Sequence, residues 1–136
     1  MKVLSIEPIA DGAVFPEGTV RIRYRSAVDG YEDWALFSPG DPRRPVIVNI
    51  HGSFSAGDQL YTRGDIRDHF LPVFLREKLG ILTPNLRGTV YMCPAAVVDM
   101  ADLLDEVQAR FVPEPKSLFI GGSGGASSSQ VFAVCH

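Results

Sequence analysis

One stretch constrains this chain more than any other: Ser117-Leu118-Phe119-Ile120-Gly121-Gly122-Ser123-Gly124-Gly125-Ala126-Ser127. It holds Gly121-x-Ser123-x-Gly125 between a short apolar run and a segment able to be helical. A strand that turns at once into a helix can leave one serine hydroxyl exposed at the turn, in a strained backbone conformation. Such a turn needs small residues two before and two after the serine, because side chains there would collide. The helix that follows would set free N–H groups and a positive dipole end beside the hydroxyl. A glycine-rich turn with a solvated serine satisfies the same pentapeptide, so context has to decide.

The context is a chain of 136 residues, enough for one domain and too few for two. With 46% hydrophobic and 21% charged residues and a net charge of −3, it has neither a basic patch for nucleic acid nor an acidic tail. Cys93 and Cys135 make no disulfide framework and no metal-binding spacing, so no metal and no cofactor are expected. The opening Met1–Glu7 is interrupted by charge too early for a signal peptide, and no apolar run is long enough for a membrane span. A cytoplasmic protein acting on a small molecule is the default expectation, with no nucleic acid or membrane partner. The oligomeric state is not legible.

Val20, Ile22 and Tyr24 alternate with Arg21, Arg23 and Arg25, which reads as an edge strand with a solvated cationic face. Val28-Asp29-Gly30 turns the chain, and Asp33–Ser38 pairs back to complete a hairpin. Val46–Ile50 is nearly continuous apolar sequence, as in a parallel strand covered on both faces. It ends in His51-Gly52-Ser53. The stretch from Phe54 to Gly64 reads as a loop over the site, and Phe70–Lys78 as a helix with His69 near its start and Pro72 in its first turn. Gly80–Leu86 is a further buried strand with Arg87-Gly88 as its exit. Val97, Met100, Leu104, Val107 and Phe111 share a helical face, which leaves Asp99, Asp102, Asp105 and Glu106 as a solvated acidic face. Pro113–Lys116 ends that helix.

Strands alternating with helices predict an α/β fold: a mainly parallel sheet, an N-terminal antiparallel hairpin, and helices on both faces. From His51-Gly52 and the Gly-x-Ser-x-Gly turn, residues 19 to 136 resemble the N-terminal half of the α/β-hydrolases. Esterases and prolyl-oligopeptidase-type serine peptidases are the most similar members. The resemblance implies a single, incomplete hydrolase domain over residues 1–136. It makes Ser123 the nucleophile, and the N–H groups of Ser53 and Gly124 the oxyanion donors. Gly121, Gly125, His51 and Gly52 shape the elbow and loop. It also implies hydrolysis of carboxylic ester or peptide bonds through an acyl-enzyme.

In that family the acid and the histidine follow the serine. Here 13 residues follow Ser123, with no Asp or Glu among them. The chain alone is therefore expected to be inactive, its triad partners lying beyond residue 136. Two other readings remain. A non-catalytic hydrolase-like binding module would keep the same fold. A dinucleotide-binding domain would need a third glycine at position 127, where Ser127 stands.

Overall fold

The structure, a computed structural model, describes residues 1–9, 14–88, 91–112 and 116–136. Among the described residues, six strands form one sheet: β1 (Lys2–Pro8), β2 (Val20–Arg25), β3 (Glu32–Ser38), β4 (Val46–Ile50), β5 (Gly80–Pro84) and β6 (Ser117–Gly121). Their spatial order is β1-β2-β3-β5-β4-β6. Antiparallel pairing runs from β1 through β2 and β3 to β5, while β4 pairs parallel with both β5 and β6. Among the described residues, four α-helices complete the fold: α1 (Gln59–Thr62), α2 (Gly64–Arg76), α3 (Pro94–Phe111) and α4 (Gly124–Cys135). The expected mixed α/β architecture is present, with one more antiparallel strand than the expected hairpin.

Alternation along the strands divides the core into two layers. Val46, Val48 and Ile50 of β4 face α3 and α4, packing with Met100, Leu103, Val107 and Phe132. Ile47 faces the other way, toward Leu60 and Tyr61 of α1 and Leu71 and Phe74 of α2. All five residues of β4 are buried, as are all five of β5, so these two strands form the centre of the sandwich. Among the described residues, β6 has a neighbouring strand on one side only. Burial also pushes the Tyr61 phenol up to about 12, and its hydroxyl lies 2.9 Å from Ser38 Oγ.

Several sequence expectations are corrected. β2 lies inside the sheet, flanked by β1 and β3, although its three arginines do face solvent. The stretch read as a loop contains α1, whose Gln59, Leu60 and Tyr61 are buried. α2 begins at Gly64, so Pro72 lies in its interior and exposed His69 lies in its middle rather than near its start. An interior proline costs roughly 3 kcal/mol. Burial of Leu71 and Phe74 on the adjacent face outweighs that, at about 1.5–3 kcal/mol for each side chain. The helix stop at Pro113–Pro115 falls outside the described residues.

The largest correction concerns Asp99. The buried stripe of α3 is Ala96, Asp99, Met100, Leu103 and Val107, turned slightly from the face drawn from sequence. Asp99 is 2% exposed and bonded through Oδ2 to Arg87 Nη2 (2.6 Å) and Nε (3.0 Å). Arg87 also binds both oxygens of Asp29 and lies 4.9 Å from the Tyr31 ring centroid. The hydrogen bond from Arg87, first among several causes, holds the Asp29 carboxyl down at about 2. The turn carrying Arg87 is held by Asp33, which accepts from Asn85 Nδ2 (2.7 Å) and from the Arg87 N–H (2.5 Å). Leu86 and Arg87 are both left-handed, with φ of 50° and 60°, so the turn depends on this clamp.

Removing one partner of a buried ion pair strands the other. Arg87→Met should cost about 3 kcal/mol. Arg25→Met, which breaks a solvent-exposed pair with Glu32, should cost under about 1 kcal/mol. Urea unfolding midpoints of the two variants compare them directly.

Candidate active site

The elbow is assembled at the C-terminal ends of β4 and β6. The two strands run in register from Val46↔Ser117 to Ile50↔Gly121, so both exits leave the sheet side by side. β6 ends at Gly121, Ser123 follows at φ 54° and ψ −126°, and α4 begins at Gly124. No L side chain adopts that conformation without strain, typically about 1–3 kcal/mol. The Ser123 hydroxyl does not cap the helix it precedes and is exposed. As the first residue of α4, Gly124 has an N–H with no intrahelical partner.

Two glycines make the turn possible. A Cβ on Gly125 would be driven into the backbone of Ile50 and His51, and one on Gly121 into the backbone of Gly125. The first turn of α4 therefore lies directly on the tip of β4. Gly52 completes the approach, since a Cβ there would lie 4.0 Å from Ser123 Cβ.

His51 is 1% exposed, and both ring nitrogens face carbonyl oxygens: Nδ1 is 2.9 Å from Gly52 O and Nε2 2.9 Å from Asn85 O. A neutral imidazole has one N–H and satisfies one of these at a time. The ring ties the loop after β4 to the end of β5. His69 is exposed on α2, and His136 stacks on Phe132 at the far end of α4, 4.9 Å between centroids. The structure brings Ser123, Gly124, Gly121, Gly125, Gly52 and His51 together at the two strand ends. Ser53 follows directly on Gly52, in the exposed part of the loop.

Gln59 was missed from sequence. It is 6% exposed, accepts the Gly52 N–H through Oε1 (3.0 Å), and donates from Nε2 to Ser55 Oγ (2.5 Å). With the Gly52 N–H engaged, the Ser53 N–H is the next in the loop that could serve a ligand. A polar residue within a polar stretch carries no signal of its own. The buried pair Leu60-Tyr61 beside it was the available clue that this loop folds back on the core.

A cavity of about 300 Å³ opens beside the serine. Its lining includes Asn49, Gln59, Ile66, Phe70, Ile120 and Ser123. Arg63 also borders it, its guanidinium engaged by Asp65. Among the described residues, no three His, Cys, Asp or Glu side chains are grouped to hold a metal ion, and no helix is long and apolar enough to cross a membrane.

No family model and no curated protein matches the sequence. Solved structures do match the fold. An S-formylglutathione hydrolase from Agrobacterium tumefaciens superposes with a TM-score of 0.66 at 10% identity, over 100% of this chain and 58% of that one. A ferulic acid esterase from the anaerobic fungus Anaeromyces mucronatus gives 0.62 at 14% identity, over 95% of this chain and 61% of its own. A cold-adapted esterase from an Arctic intertidal metagenomic library gives 0.57 at 13%, over 85% and 55%. The fold is that of the α/β-hydrolases. The chain spans between 55% and 61% of the length of these three hydrolase-fold structures.

Strain at residue 123 can be measured separately from chemistry. Ser123→Gly should raise stability by roughly 1 kcal/mol, because the relief of φ strain exceeds the chain entropy that glycine adds. Ser123→Ala keeps the strain and should leave the thermal midpoint where it is. Gly125→Ala should cost about 4 kcal/mol or more, since the colliding atoms are backbone that cannot move aside. Thermal melts of the three variants distinguish these outcomes.

Proposed function

We propose that this chain is the nucleophile-bearing part of a serine hydrolase acting on carboxylic esters or peptide bonds, with Ser123 as the acylated residue. The observation that carries the reading is the strained, exposed Ser123 at the tip of β6, followed at once by the free first N–H of α4. In this reading Ser123 Oγ attacks the carbonyl carbon and its proton passes to a base. The Gly124 and Ser53 N–H groups bear the oxyanion, and the alcohol or amine leaves with a proton. Water then attacks the acyl-enzyme and releases the acid. Each well-placed oxyanion donor lowers the barrier by about 3–4 kcal/mol. The fold's known occupants support a hydrolase, since the matched structures carry the printed names esterase and hydrolase.

In this reading none of the three histidines of this chain serves as the base. His51 has both nitrogens against carbonyls, and His136 stands at the C-terminal end of the 12-residue α4, roughly 18 Å along its axis. His69 is on the outer surface of α2. In this reading the acid and the histidine come from outside these 136 residues, and the 136-residue chain alone should show no Ser123-dependent turnover.

The protein at its natural length should be labelled by a fluorophosphonate probe at Ser123 and should hydrolyse p-nitrophenyl acetate, with Ser123→Ala abolishing both. Labelling that survives Ser123→Ala would overturn the assignment of the nucleophile. Ser123-dependent turnover by the 136-residue chain would place the base within it.

A further inference from the structure

The cavity beside Ser123 has a polar group in an unusual place. Asn49 is the fourth residue of β4, between Val48 and Ile50, and is 8% exposed. Val48 and Ile50 point to the α3 and α4 layer, so strand alternation sends Asn49 to the opposite layer, with Ile47. There its side chain lines the cavity together with Ile66, Phe70 and Ile120. The Asn49 amide is not among the buried polar atoms cut off from both partner and solvent, so it opens into the cavity. An amide that faces a cavity beside Ile66, Phe70 and Ile120 can give its hydrogen bonds to a ligand entering that cavity.

Position sets what that ligand is. Asn49 pairs with Ile120, three residues before Ser123. At the ~3.3 Å rise of a parallel strand, it lies on the order of 10 Å from the serine, down the α2 face of the sheet. The walls include Ile50, Ile66, Phe70 and Ile120 together with Gln59 and Arg63, whose side chains are engaged by Ser55 and Asp65. The volume of about 300 Å³ is at the small end for a ligand pocket. An amide offers both an acceptor oxygen and donor N–H groups, so it pairs with a hydroxyl or a carbonyl and has no charge with which to select an ion.

We propose that this cavity is an acyl-chain subsite for short, apolar acyl groups that end in a hydroxyl or carbonyl oxygen, with Asn49 bonding that terminal oxygen. The proposal rests on the hydrolase reading for the word acyl. The binding chemistry of the cavity stands on the geometry of Asn49.

The test uses the protein at its natural length and two p-nitrophenyl esters of matched heavy-atom count, the ω-hydroxyhexanoate and the heptanoate. The wild type should favour the hydroxylated ester in kcat/KM by roughly tenfold, the worth of one well-formed buried hydrogen bond. Asn49→Leu, nearly equal in volume, should lose that preference while its thermal midpoint stays close to that of the wild type. Equal rates for the two esters in the wild type, or a preference kept in Asn49→Leu, would overturn the proposal. So would a marked fall in the midpoint, which would show that the protein itself bonds the amide.

A second measurement needs no turnover and no variant. In NMR titrations, free ω-hydroxyhexanoate should shift the Asn49 side-chain amide resonances, and heptanoate should shift them far less. If neither ester is hydrolysed in a Ser123-dependent way, the hydrolase reading has failed. The titration then decides the cavity independently, and unmoved Asn49 resonances would refute the subsite.

Discussion

The first turn of α4 rests on the carbonyl groups at the end of β4, and the rest of the site depends on that contact. It forms only because residue 125 has no side chain, since any Cβ would occupy the space of Ile50 and His51 oxygen. Residue 121 is limited in the same way by the backbone of Gly125. With both strands in register up to Ile50↔Gly121, the contact leaves the backbone at residue 123 little choice but φ 54°. The strain at Ser123 follows from packing on either side of it, with the sheet and helix supplying the stabilisation that offsets it.

A second chain of polar contacts ties the site to the antiparallel half of the sheet. His51 Nε2 faces the Asn85 carbonyl, the Asn85 amide donates to Asp33, and Asp33 accepts the Arg87 N–H. Arg87 then reaches α3 through Asp99. Thus β3, β4, β5 and α3 meet through hydrogen bonds at the end of the sheet that carries Ser123. Buried polar networks are costly when incomplete and rigid when satisfied. This one fixes the loop after β4, whose Gly52 N–H is held from the other side by Gln59.

The cavity lies on the opposite layer from α3 and α4. Its floor is the only part of buried β4 that is polar, and its wall is the face of α2 that carries Ile66 and Phe70. The position of α2 is therefore what gives the space beside Ser123 its width. The helix extends through Pro72 and begins at Gly64, before the apolar stretch that marked it in the sequence.

Some of this was legible because it is written in local rules. A serine among glycines between an apolar run and a helical segment specifies its own turn, since the steric demand lies within five residues. Uninterrupted apolar sequence from Val46 to Ile50 specifies a strand covered on both faces. The role of Asp99 was not legible, because its partner Arg87 comes from another element and its burial depends on how α3 rotates against the sheet. Gln59 and Asn49 were hidden for the same reason: each is an ordinary polar residue until the fold sets it against a backbone N–H or the cavity beside Ser123. The sequence alone determined the elbow and the α/β order, which follow from short-range sterics and periodicity. Only the tertiary structure decided which polar side chains were buried and what they faced, because a side chain's environment is set by residues distant in the chain.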